Sequence, residues 1–230
     1  MLFQVGSGVA ASSDSLVLDA PRDGLSDASP HVSNFLNALM TRSGRRGYIP
    51  TGTYRIDSPL PEITTQVHLF GDGNPVSVLL RNYNGTPGKG VLTLAPGAHG
   101  CVLSHLCLTA AQGTSGGAGL AIMASAAEGC NRILLDSLLL SASSDLWTNC
   151  LFVDGRLKTS GAVGVRALKI RDCDIFGANG YSAVFHNAPG TTWIGGGMYP
   201  AGGTNSASGL YTFTGYTPKI RGVYAVTDAG

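Results

Sequence analysis

The chain has 230 residues, enough for one ordinary domain or two small ones, and either size buries a real core. Charged residues make up 13%, about half the usual ~25%, while glycine fills 33 positions, about twice its usual share of ~7%. The net charge is +1 with no basic or acidic run, which sets aside a strongly electrostatic partner such as nucleic acid or an anionic membrane.

Residues 1–22 show no clear periodicity and read as an N-terminal arm. No basic region precedes an apolar core there, so the segment does not read as a secretory signal. Nowhere does the chain approach the ~18 consecutive apolar residues of a membrane span. From residue 23 to 230 we expect one domain.

That domain begins with its one helix, predicted over about residues 30–43. Ser29 suits the N-cap and Pro30 the first helical position. Val32, Phe35, Leu36, Leu39 and Met40 recur at helical spacing, and Gly44 ends the pattern just after Arg42.

After the helix, Gly-rich turns alternate with short apolar strands to the C-terminus. The strands repeat. One series begins at Val91, Leu120, Leu151, Ala183 and Leu210, and a second interleaves with it, centred on Leu106, Leu138, Cys173, Gly197 and Val223. Two series sharing one period of about 30 residues are the mark of a solenoid, each coil giving a strand to each of two or three parallel sheets. Inward positions then stack coil upon coil and tolerate only apolar or small side chains. Two predicted columns obey this: Leu103, Leu135, Ile170, Ile194 and Ile220, and Leu108, Leu140, Ile175, Tyr199 and Ala225. A β-sandwich predicts turns every 8–12 residues but no such superperiod. The expected fold is therefore all-β, a right-handed parallel β-helix of about six coils capped by a short N-terminal helix.

The stretch over roughly residues 19–75 resembles the pectate-lyase superfamily as found in phage tailspikes. The resemblance lies in Asp23, Gly24, Asp27, the helix, Tyr48, Ile49, Pro50, Gly52, Tyr54, Leu69, Gly71 and Gly73. It implies the fold, with the helix hiding the strand edges at one end of the solenoid. The motif is not specific for chemistry.

Members of that family that cleave polysaccharides use carboxylates, or arginine and lysine with calcium, on the outside of one sheet. The best carboxylate cluster here is Asp136 on one coil with Asp172 and Asp174 on the next, at a coil spacing of ~4.8 Å that suits the paired acids of glycoside hydrolysis. Asp136 aligns with Arg171, so the same residues also read as a solvated, partly paired ladder. His105 and His186 could each serve as an acid or base but read more simply as surface or satisfied core histidines, and the calcium-binding aspartates of pectate lyases are not recognisable. Trp147 and Trp193 fall in or near turns and are candidate platforms for a sugar ring. Cys101, Cys107, Cys130, Cys150 and Cys173 contain no Cys-x-x-Cys pair, which leaves buried thiols or disulfides, within or between subunits.

No cofactor or metal is expected, nor binding to nucleic acid or insertion in a membrane. The reading that follows is a bacteriophage virion component of tailspike, collar or decoration type. It is expected in the extracellular particle as a homotrimer whose arm meets other virion proteins, and it binds host surface glycan. A depolymerase of capsule or lipopolysaccharide, hydrolase or lyase, is the alternative.

Overall fold

The computed structural model describes residues 15–42, 44–125, 127–141, 147–155, 164–177, 181–199, 211–214 and 218–225. Apart from one helix it is built of short strands, and every strand pairing is parallel.

The strands stack into three faces, of which the first two run the length of the solenoid and the third begins at Gly90, and a separate short pair joins Cys130–Asn131 to Val165–Arg166. The first face stacks Leu16–Val17, Arg46–Ile49, His68–Gly71, Val102–Ser104, Leu134–Asp136, the first halves of Lys169–Phe176 and Thr192–Tyr199, and Lys219–Arg221. The second stacks Asp23–Asp27, Gly52–Ile56, Ser77–Arg81, Cys107–Ala110, Leu139–Ser141, the second halves of the same two long strands, and Tyr224–Ala225. Gly90–Leu94, Ala118–Met123, Asn149–Asp154, Ala183–His186 and Tyr211–Thr214 form the third. The ladder thus takes in Leu16 and Val17, within the segment that reads as an arm.

The core is the set of inward columns. On the first face Leu69, Leu103, Leu135, Ile170 and Trp193 follow one another, each at most 2% exposed. Tyr54, Leu79, Leu108, Leu140, Ile175 and Met198 do the same on the second. Leu94, Ile122, Val153 and Phe185 line the third. Burying each such side chain contributes about 1.5–3 kcal/mol, so stacked columns supply the force that holds the coils together.

These columns correct the sequence register by one residue in the strand Thr192–Tyr199. Trp193, not Ile194, stands over Ile170, and Met198, not Tyr199, over Ile175. Ile194 is 55% exposed. The third-face series likewise begins at Leu92 rather than Val91, and its last member is Tyr211, while Leu210 lies outside the described residues.

Bends between faces use single left-handed residues. Gly100, Arg132, Ala167 and Gly190 lie ahead of the first face with φ of 68°, 57°, 52° and 74°. His105, Ser137, Asp172, Gly195 and Gly222 follow it with φ of 56°, 53°, 49°, 72° and 60°. Such a residue turns the chain sharply while its N–H still reaches the next coil: His105 donates to the Asp136 carbonyl at 3.0 Å and Ser137 to that of Arg171 at 2.9 Å. Glycine does this without strain, and the other residues do it at a cost of roughly 1–2 kcal/mol each.

The helix, Ser29–Thr41, starts one residue earlier than its capping pattern suggests. Ser29 is its first residue, and its N–H and hydroxyl both donate to the Asp27 carboxylate. The same hydroxyl accepts from the Asp57 and Ser58 amides, at 2.7 and 3.1 Å, so it ties the helix to the following coil instead of capping it. Val32, Phe35, Leu36 and Leu39 are buried on the first coils. At Gly47 a β-carbon would stand 2.7 Å from the Phe35 ring and 2.8 Å from Leu39, so glycine there lets the helix lie directly on the strand.

Candidate functional site

Alternation along each strand of the first face sends every second residue outward, in two columns set by the register. One runs Arg46, His68, Val102, Leu134, Lys169, Thr192, Lys219, and the other Tyr48, Phe70, Ser104, Asp136, Arg171, Ile194, Arg221. They hold five cations and one acid. The motif Lys-Ile-Arg occurs twice, at 169–171 and 219–221, and both copies take the same place on the face.

A groove occupies the N-terminal part of this face. A cleft of about 700 Å³ is bounded by Arg42 and Thr41 at the end of the helix, by Arg45 and Arg46, and by Gln66 and His68. A second, about 410 Å³, continues across Phe70, Ser104, His105, Leu134 and Asp136, and the two share Arg46, His68 and Val102. Aromatic rings floor the junction. Phe70 stacks on Tyr48 with centroids 5.4 Å apart, lies 5.3 Å from the His68 ring, and carries the Arg46 guanidinium 5.6 Å above it. Burial, then the Arg46 charge, push the His68 pKa down, so its ring is neutral at pH 7.

Asp136 is held rather than poised. Arg171, its register partner on the next coil, donates from Nε at 2.9 Å and from Nη2 at 2.5 Å to its two carboxylate oxygens. That guanidinium holds the Asp136 carboxyl below the usual carboxylate value, and a general acid needs the opposite shift. Asp172 sits in the left-handed bend, and Asp174 lies beyond it on the second face, in register with Leu139 and Gly197. The three acids therefore straddle a bend, with Asp136 already engaged. His105 lines the groove beside Asp136, whereas His186 is on the third face in register with Asp154.

The two tryptophans lie in the core. Trp147 is 0% exposed with its ring against Gly119, and Trp193 is 0% exposed with its Nε1 donating to the Gly195 carbonyl at 3.0 Å. Neither offers a ring face to a sugar, because each fills space that smaller residues leave inside the coil. On the second face the outward pair Phe176 and Tyr199 stacks at 4.2 Å with planes 9° apart. All five cysteines are free thiols and buried. Burial pushes the thiols up, to about 11 for Cys101 and Cys107 and about 12 for Cys130 and Cys173.

Residue-by-residue reading missed the basic groove residues Arg42, Arg45, Arg46 and His68. The signal was present as a spacing: Arg46 and Tyr48, His68 and Phe70, and both Lys-Ile-Arg motifs pair outward residues two apart. No helix among the described residues is long and apolar enough to cross a membrane.

The architecture is an all-β parallel β-helix. The sequence matches no protein-family model and no curated relative. Among solved structures, Geobacillus virus E2 ORF18 is similar with a TM-score of 0.50 at 16% identity, over 92% of this chain and 48% of that one. The Agl-KA catalytic domain follows with a TM-score of 0.43, 12% identity, and 96% and 55% of the two chains. The A-module of the Azotobacter vinelandii mannuronan C-5 epimerase AlgE4 aligns with a TM-score of 0.33, 12% identity, and 90% and 75% coverage. At these identities the likeness is one of fold, and the chain spans about half the length of the first two structures.

Proposed function

We propose that this chain is a structural part of a bacteriophage particle that holds host surface glycan along the groove of its first face, and that it assembles as a homotrimer. The phage origin of the similar ORF18 structure supports the particle reading. Binding rather than cleavage rests on one observation above all: the best-placed carboxylate in the groove, Asp136, is occupied by Arg171 through both its oxygens. The groove still offers what a sugar chain uses, an apolar strip at Val102 and Leu134 beside polar Ser104 and His105.

Depolymerisation is the second reading, favoured by the juxtaposition of His105 and Asp136 in one groove. A reducing-end assay on host capsule and lipopolysaccharide separates the two. Retention of glycan on the protein with no new reducing ends supports holding. Turnover that disappears in the triple variant Asp136→Asn, Asp172→Asn, Asp174→Asn establishes cleavage at this site. Sedimentation checks the trimer, and a stable monomer overturns it.

A further inference from the structure

We infer that the cleft between the helix end and the first coils is a phosphate subsite, so that the glycan held on this face is a phosphorylated one. The inference rests on the glycan-holding reading and adds to it the chemical group that anchors the chain.

Three arginines converge there from three different backbone positions. Arg42 is the C-cap of the helix, with its N–H on the Ala38 carbonyl at 3.1 Å. Arg45 occupies a left-handed turn, φ 44°, whose carbonyl accepts the His68 N–H at 2.8 Å. Arg46 opens the first-face strand and lies over Phe70. Backbone bonds thus fix all three stems on the rim of one 700 Å³ cleft. Among the described residues no ion pair joins any of them to a carboxylate. Arg45 gives one Nη1 hydrogen to the Thr65 hydroxyl at 2.6 Å, and a guanidinium has five to give.

Three guanidinium groups in one cleft repel one another unless an anion joins them. A carboxylate brings a single charge and two oxygens. A phosphate monoester brings about −1.5 to −2 charges and three acceptor oxygens, which matches three forked donors better. The helix end carries negative partial charge, which the three cations must outweigh, and the Thr41 hydroxyl offsets part of it by donating to the last-turn carbonyls of Asn37 and Ala38, at 3.3 and 3.0 Å. Gln66 and neutral His68 complete the lining as hydrogen-bonding groups. Among the described residues no cluster of three His, Cys, Asp or Glu is placed to hold a metal ion, so the cations that the protein itself offers are these side chains.

The rest of the face fits a chain that continues from such an anchor. The uncharged strip at Val102 and Leu134 follows, and Lys169, Lys219 and Arg221 stand exposed further along the same columns. At ~4.8 Å per strand, Arg46 and Lys169 lie about 19 Å apart, a few sugar residues.

Calorimetry on the full chain with glucose 6-phosphate, inorganic phosphate, glucuronate and glucose tests the subsite directly. Glucose 6-phosphate is expected to bind at least ten-fold more tightly than the other three, and the variant Arg42→Gln, Arg45→Gln, Arg46→Gln to lose that binding while its thermal unfolding stays close to wild type. Lys89→Gln, on a different surface, should bind as wild type does. Glucuronate binding as tightly overturns the phosphate assignment, and inorganic phosphate binding as tightly overturns the sugar part. A triple variant that keeps its affinity for glucose 6-phosphate removes the arginines from the site. If host polysaccharide is retained equally by wild type and triple variant, this subsite is wrong and glycan holding stands. If no host polysaccharide is retained by either, glycan holding falls, and the glucose 6-phosphate result is then read alone.

Discussion

Arg171 joins Asp136 across two coils by a two-pronged ion pair, with Arg171 58% and Asp136 13% exposed at the side chain. The two residues are exact register partners on neighbouring strands, so the pair acts as an outward clasp on the first face.

The clasp has a pH signature. The Asp136 pKa is lowered in the folded chain, chiefly by its hydrogen bonds to Arg171, so its stabilisation is present above the unfolded value of about 3.9 and is lost as pH falls through the lower folded value. Asp136→Asn should therefore lower the urea midpoint modestly at pH 7, and the gap from wild type should close on acidification below about pH 4. Urea titrations at several pH values check this. A gap that widens towards acid contradicts the assignment.

The corrected register separates neighbours in sequence. Trp193→Ala empties a core column and should cost about 3–5 kcal/mol, whereas Ile194→Ala, on the exposed side, should change stability by less than about 0.5 kcal/mol. Denaturant unfolding of the two variants decides between this register and its one-residue shift, which predicts the reverse order.

The left-handed bends make an unusual stability prediction. Ala167 is exposed and holds φ 52°, so Ala167→Gly should stabilise the protein by up to about 1 kcal/mol, where glycine in regular structure normally destabilises. Thermal unfolding measures it, and a lowered midpoint would count against strain at this corner.

Burial protects the thiols. With folded pKa values pushed up to about 11–12 at four of the five, the native chain should react negligibly with a thiol reagent at pH 8, and all five should react once unfolded. Because the folded pKa exceeds the unfolded one, the thiols' contribution to stability is full below about pH 8.5 and declines as pH rises beyond it. Crosslinked subunits on a non-reducing gel would contradict free buried thiols.

Packing on the cap has its own test. Gly47→Ala places a methyl against Phe35 and Leu39 and should cost about 1–3 kcal/mol, measured by denaturant unfolding.

Much of the fold was legible because a solenoid repeats its chemistry in sequence. Apolar residues at Leu103, Leu135, Ile170 and at Leu108, Leu140, Ile175 recur at the spacing of a coil, since each must sit on its counterpart below. The helix carries the cap in the same local way, through apolar residues at helical spacing. The register slipped by one residue at both ends of the third-face series, and again at Thr192–Tyr199, where three consecutive glycines erase the alternation that tells inside from outside.

The groove is a different matter. A net charge of +1 averages over all faces, and Arg46, His68, Lys169 and Lys219 are dispersed over 173 positions, so no run betrays the column that they form. Likewise Asp136, Asp172 and Asp174 look equivalent in sequence until one bend, at Asp172, sets Asp174 on another face. By itself the sequence determined the period, the cap and most of the inward columns, because these depend on local pattern and apolar burial, but it misplaced Trp147, Trp193 and Ile194. Only the tertiary structure decided which charges share a face, because that depends on how far the chain travels between coils and which way each bend turns.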